Sequence, residues 1–117
     1  MTKFRARGRT SGRKTGMNGT EAEYAVRLTN MLDGKGALAF RFERVTFKLA
    51  DDTRFTPDFM VILTDGTIEF HEVKGWGFED DAKVKIKVAA EMFPWFVFRS
   101  FTKRAKKDGG GWVERTY

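Results

Sequence analysis

The segment that most restricts the fold of this chain is a hairpin read between residues 58 and 74. Residues 59–63 and 68–74 are rich in β-branched and aromatic side chains and are separated by Thr64-Asp65-Gly66. Asp-Gly between two such runs is a strong short-range hairpin signal. Two registers are open. A two-residue loop at Asp65-Gly66 would set Phe59 against Glu72 and send Asp58 to the other face. A three-residue loop with Gly66 in the left-handed region would set Leu63 against Thr67, Ile62 against Ile68, Met60 against Phe70 and Asp58 against Glu72. The second register is expected, because it pairs apolar with apolar and a one-residue slip would scramble that face.

That register ends one apolar face in two acids. Lys74 follows on the same side as Glu72, because strand side chains alternate. Pro57 suits the first residue of a strand, where no ladder N–H is needed. Two carboxylates directly opposed cost about 0.2–1 kcal/mol if nothing lies between them. A divalent cation removes that penalty. The plainer reading is two solvated surface acids with Lys74 as a counterion, and the placement of all three on one face argues against it.

Composition narrows the chemistry further. The chain has no cysteine and a single histidine, His71. Disulfides, thiolate metal sites and a multi-histidine zinc site within one chain are therefore excluded. A metal would be held by oxygen, which suits Mg²⁺ or Mn²⁺. His71 alternates to the face opposite Glu72 and is expected to be a packed strand residue rather than a ligand. No apolar run is long enough to span a membrane, and the charged N-terminus lacks an apolar signal region, so neither a membrane partner nor secretion is expected.

Charge is unevenly placed. Residues 1–17 contain Lys3, Arg5, Arg7, Arg9, Arg13 and Lys14 and no acid, while residues 18–117 hold 16 basic and 16 acidic side chains. The whole net charge of +6 thus sits in a Gly/Ser/Thr-containing tail. Such a tail is expected to be flexible and to bind a polyanion, with nucleic acid favoured over lipid because no amphipathic face accompanies it. A solubilising tail is the alternative. Residues 18–117 are expected to form one small domain.

The remaining elements follow from capping and periodicity. Asn18-Gly19-Thr20-Glu21 reads as a capping box opening a helix that runs to about Leu32 and stops before Gly34. Glu21, Ala25, Leu28 and Leu32 fall on one stripe, which would place Glu21 at the end of the buried face. Capping alone explains Glu21, but an unpaired acid facing a core is costly, and this adds Glu21 to the candidate site. Glu23 is expected to pair with Arg27. Residues 38–49 read as two short strands or one bent strand. Asp80 or Asp81 is expected to cap a second helix ending at Pro94, although residues 83–88 alternate like a strand. Residues 95–101 and 112–116 read as the last strands. The connection from 68–74 through a helix to 95–101 is a crossover of the kind that joins parallel strands. The expected fold is α/β, a mixed sheet flanked by helices.

Pro57-Asp58, then Glu72-Val73-Lys74, preceded by a helix bearing Glu21, resembles the PD-(D/E)XK nuclease superfamily. Thr56-Pro57-Asp58-Phe59 and His71-Glu72-Val73-Lys74-Gly75 are most similar to small phage and prophage members, and junction-resolving nucleases share the layout. The resemblance covers residues 18–101. It implies a restriction-endonuclease-like core in the order αβββαβ, here with an added C-terminal strand. It also implies that Asp58 and Glu72 bind the metal, that the Val73 carbonyl and Glu21 assist, and that Lys74 orients the attacking water. The function implied is Mg²⁺-dependent endonucleolytic hydrolysis of DNA, selective for branched or junction structure because the chain is too small for a sequence-reading domain. It further implies an intracellular, phage-encoded protein.

Phosphate contacts are expected from the tail, from Lys83 and Lys87 on the second helix, and from Lys103, Arg104, Lys106 and Lys107 in a glycine-tipped loop. Trp76, between two glycines, is expected to pack at the core or rim, with base stacking as the alternative. A homodimer would bring two sites to two strands. The rival functions are a non-catalytic DNA-binding module and a subunit of a recombination or packaging complex.

Overall fold

The computed structural model describes residues 16–75 and 80–117. Helix α1 spans Gly19–Thr29. Five strands follow: β1 (Ala37–Phe42), β2 (Phe47–Ala50), β3 (Thr53–Phe55), β4 (Phe59–Leu63) and β5 (Ile68–Lys74). Helix α2 (Asp80–Met92) then leads to β6 (Val97–Lys103), a single 3₁₀ turn at Lys106–Asp108, and β7 (Trp112–Thr116).

The capping box is present in both directions. The Asn18 side chain accepts the Glu21 N–H at 2.8 Å, and the Glu21 carboxylate accepts the Asn18 N–H at 2.9 Å. The helix ends at Thr29 rather than near Leu32, because the chain turns through left-handed Asp33 and Gly34. Met31 and Leu32 still pack on the core from that turn.

The main sheet has the order β1-β4-β5-β6-β7. Among the described strands only β5 and β6 run parallel, joined by α2 as the crossover expected of such a pair. The β4–β5 hairpin has the register of the three-residue loop: Met60 faces Phe70 and Ile62 faces Ile68. Gly66 is left-handed, its N–H donates to the Leu63 carbonyl at 2.9 Å, and the Asp65 carboxylate accepts the Thr67 N–H at 2.9 Å.

The element order differs from the expected αβββαβ. Strand β2 does not join the main sheet but pairs with β3, a strand not anticipated, in a separate two-stranded ribbon. Glu43 and Asp52, both with positive φ, bend the chain out of β1 and close the β2–β3 turn. The ribbon then buries Phe47 and Phe55 against α2, which gains more than leaving them at a sheet edge. Strand β6 begins at Val97, two residues later than expected, and extends to Lys103. Asp80 and Asp81 lie inside the first turn of α2, where negative charge suits the helix dipole.

Two cores sandwich the sheet. Tyr24 and Leu28 of α1 pack with Phe59, Val61, Val73 and Phe101. Ile86 and Ala89 of α2 pack with Phe47, Phe55, Phe70 and Phe98. Strand β5 is buried on both faces. The expected pairing of Glu23 with Arg27 does not form. Glu23 instead accepts from Lys103 at 2.7 Å, and Arg27 lies 3.4 Å from Glu114, so both tie α1 to the far strands. Among the described residues no helix is long and apolar enough to cross a membrane.

Candidate active site

The hairpin register brings Asp58 and Glu72 together at the end of β4 and β5. Each is only 7 % exposed. The Val73 N–H donates to Asp58 Oδ2 at 2.8 Å, and the Asp58 N–H donates to Glu72 Oε1 at 3.2 Å. Each strand thus fixes the other's carboxylate through its own backbone. Lys74 Nζ lies 3.6 Å from Glu72 Oε2 and is partly exposed.

The electrostatics are those of an incompletely neutralised acid pair. Burial, then the neighbouring Glu72 charge, pushes the Asp58 carboxyl up to about 8, against the partial relief of the Val73 N–H. Burial also raises Glu72, with Lys74 the largest opposing influence. Glu21 adds to the repulsion at both acids. Its own carboxylate is turned back to the Asn18 N–H. The contacts therefore give Glu21 its capping role, and its influence on the pair is through charge.

Gly75 sets how closely α1 approaches. A Cβ on Gly75 would lie 3.1 Å from Thr20 Oγ1, so the first turn of α1 rests on the end of β5 where a side chain would stand. Lys74 is paired with Thr102 across the parallel ladder, so Lys103 and Arg104 follow at the end of β6, where Lys103 bonds Glu23 of α1. A groove of about 370 Å³ at that end is lined, among the described residues, by Gly75, Lys103, Arg104, Ala105 and Lys106. Lys107 is exposed beside it. Lys83 is half-buried near the start of α2, whereas Lys87 lies a turn further on and lines a different groove with Glu91 and Arg115. The ion pair on this helix is Lys85–Asp81, at 3.7 Å. The tail residues Arg5, Arg7, Arg9, Arg13 and Lys14, together with Trp76, lie outside the described residues.

Among the described residues no group of three or more Asp, Glu, His or Cys side chains is disposed to hold a metal. Two carboxylates nevertheless suit Mg²⁺, which characteristically takes one or two from the protein and fills its octahedron with water and substrate phosphate. A buried pair held above the ordinary carboxylate range is a donor set that a divalent ion would relieve.

The opposite face of β5 carries a second polar cluster that sequence reasoning missed. The Tyr24 hydroxyl lies 2.7 Å from His71 Nδ1, and His71 Nε2 lies 2.8 Å from Glu69 Oε1. Arg99 reaches the same Glu69 oxygen at 3.4 Å and also bonds Glu114. His71 is the packed residue expected. The available signal was Tyr24, three residues from Glu21 and four from Leu28, which belongs on the same helical stripe. Family models, curated proteins and solved structures gave no match to this chain, so the site stands on its own geometry.

Proposed function

We propose that this chain is a metal-dependent endonuclease of the PD-(D/E)XK type, hydrolysing phosphodiester bonds in DNA. The observation that carries this reading is the buried Asp58–Glu72 pair on adjacent strands with Lys74 at its rim. With the β2–β3 ribbon set aside, helix, three sheet strands, helix and strand run in the order the resemblance implies, and this supports it.

Asp58 and Glu72 would hold Mg²⁺ or Mn²⁺ with the aid of the Val73 carbonyl, and Glu21 would act at longer range. When bound, the ion supplies a Lewis acid for a phosphoryl oxygen and for an attacking water. The residues do the rest. Asp58, fixed by the Val73 N–H, and Glu72, fixed by the Asp58 N–H, present oxygens that need no reorganisation. Lys74 orients the water and offsets the negative charge that grows on the phosphate. Lys83, the β6–β7 loop and the tail would follow the backbone. This favours selection by structure over sequence, because phosphate contacts carry little base information. Such an enzyme would work inside the cell, as the phage-type resemblance implies, and a homodimer would cut both strands.

One observation favours a second reading, a DNA-binding module that does not cut. Each site carboxylate already accepts a backbone N–H, and no third metal donor is grouped with the pair among the described residues. Cleavage of plasmid and branched DNA decides between the two. Mg²⁺ should give cutting that EDTA abolishes and that Asp58→Ala lowers on the order of 10²–10³-fold. Cutting that survives both treatments removes the metal mechanism. Tight binding without cutting under Mg²⁺ or Mn²⁺ establishes the module.

A further inference from the structure

A groove of about 350 Å³ lies between α2 and β7, outside the acid site. Lys87, Ala90 and Glu91 form its helical wall, and Arg115, Thr116 and Tyr117 form its strand wall. Arg115 is exposed, yet it is seated on an aromatic ring: its guanidinium carbon lies 4.7 Å from the centre of Tyr117. That ring is fixed in turn. The Tyr117 hydroxyl lies 3.0 Å from Oγ of buried Ser100, and the Tyr117 N–H donates to the Phe98 carbonyl at 2.9 Å. A guanidinium carried on a ring face keeps its N–H groups for another acceptor. Lys87 and Glu91 stand four residues apart on α2, a spacing that favours an ion pair, but the pair on this helix is Lys85–Asp81 instead. Neither Lys87 nor Arg115 has an ion-pair partner among the described residues. Glu91 is the one acidic side chain among the described lining residues.

We propose that this groove binds one phosphate of a nucleic-acid backbone, with the Arg115 guanidinium and the Lys87 ammonium as its donors. Two cations facing one gap repel, and a phosphate between them reverses the sign of that interaction. The guanidinium fork fits two phosphate oxygens, and the ammonium acts as a point charge beside them. The ring-held Arg115 loses little side-chain freedom on binding, which favours a built contact over a transient one. Sheet register relates this groove to the acids. Glu72, Ser100 and Arg115 occupy one row across β5, β6 and β7, on the face that carries the acid pair. Strands stand ~4.8 Å apart, so along that row the Arg115 backbone is about 10 Å from that of Glu72. One nucleic acid is long enough to meet both places, since each strand carries a charge about every 3.4 Å of axis. The choice of nucleic acid over a free phosphate rests on the nuclease reading; the anion site itself does not.

The test is binding of full-length protein to a labelled DNA duplex in EDTA, read by fluorescence anisotropy, where nothing is cut. Arg115 and Lys87 are both exposed, so their substitution leaves the core intact. Arg115→Gln and Lys87→Gln should each weaken binding about fivefold. The double variant should lose less than the product of the two, because both side chains hold one phosphate. Arg115→Lys keeps the charge but not the fork, and should still weaken binding about threefold. Arg54→Gln removes an exposed charge from the β2–β3 ribbon and should change affinity by less than about twofold. Arg115→Gln no weaker than Arg54→Gln overturns the proposal, and so does Arg115→Lys binding like wild type, since either result shows a diffuse charge effect. Fully multiplicative losses for Arg115→Gln and Lys87→Gln overturn the shared phosphate. Inorganic phosphate is the second arm. If it raises the unfolding midpoint of wild type but not of Arg115→Gln, while both bind DNA equally, the site takes free phosphate and the nucleic-acid assignment falls. Because cleavage is never read, a failed nuclease assay and a failed phosphate site are separate outcomes.

Discussion

Strand β5 carries buried acids on both faces, and the two faces treat them oppositely. On the α1 side, Glu69 accepts from His71 and Arg99, and chiefly the His71 hydrogen bond holds it below the ordinary carboxylate range. Its partners are closed around it, with Tyr24 on the other ring nitrogen of His71. On the other side, Asp58 and Glu72 are held above that range, because burial and mutual repulsion exceed what two N–H groups and one lysine return. The difference separates two roles that look alike in a count of buried polar residues. A network that hydrogen-bonds its carboxylate rigidifies a core, even with the buried Arg99 Nε left without a partner among the described residues, whereas a buried site that keeps two acids together at a cost in stability is a candidate for a role outside folding.

Opposite responses to substitution give the largest effect. His71→Ala leaves the buried Tyr24 hydroxyl without its partner and Glu69 with Arg99 alone, and should cost about 3 kcal/mol in denaturant unfolding. Asp58→Asn keeps an acceptor for the Val73 N–H, removes one of two repelling charges, and should stabilise the metal-free protein at pH 8 by on the order of 2 kcal/mol. Equal destabilisation by both variants would erase the distinction between the faces.

That distinction was half legible in the sequence. Alternation and an Asp-Gly turn sufficed for the register that joins Asp58 to Glu72, because both signals are local. Helix α2 was recoverable despite the alternating Lys83–Val88 run, since its acidic first turn and the following Pro94 bound a helix. The β2–β3 ribbon was not, because Asp52 and Glu43 adopt left-handed conformations that their residue type permits but does not announce. The Tyr24–His71–Glu69–Arg99 chain joins four residues from three elements, and no spacing rule reaches across that separation. Glu21 shows the limit from the other direction. One residue type satisfied two explanations, and only the contact to Asn18 distinguishes them.

Acidity sharpens the comparison next. The folded Asp58 pKa is raised from 3.8 to about 8, so its protonated form contributes stability that is complete below about pH 4 and lost as pH rises through 8. His71 is depressed by burial, so the α1 side loses stability in the reverse direction, as pH falls below the ordinary value of 6.5. The stability difference between wild type and Asp58→Asn isolates the first effect. It should be near zero at pH 4 and widen to about 2 kcal/mol by pH 8, with the variant the more stable. Mn²⁺ at pH 8 should raise the wild-type midpoint and close the gap, because it binds the folded pair. A difference curve flat from pH 4 to 8 would mean that the pair is not strained.

The smallest effect concerns how α1 is seated between the two faces. Gly75 does not need its glycine for backbone conformation, since its φ lies outside the left-handed region. What it provides is room for Thr20, whose Oγ1 would lie 3.1 Å from a Cβ at that position. Gly75→Ala should therefore cost no more than about 1 kcal/mol, the helix yielding by a few tenths of an ångström. Thr20→Ala removes the atom that collides, so in the double variant the Gly75→Ala penalty should vanish, a coupling that a mutant cycle measures directly. Because α1 brings Glu21 toward the acids and Glu23 toward Lys103, the same small shift should, if the proposed Mg²⁺-dependent cleavage holds, lower it more than the stability loss alone accounts for. If Gly75→Ala is destabilising but uncoupled from Thr20, the helix is not seated by this contact. The charge of Glu21 at the acid pair would then be incidental to capping.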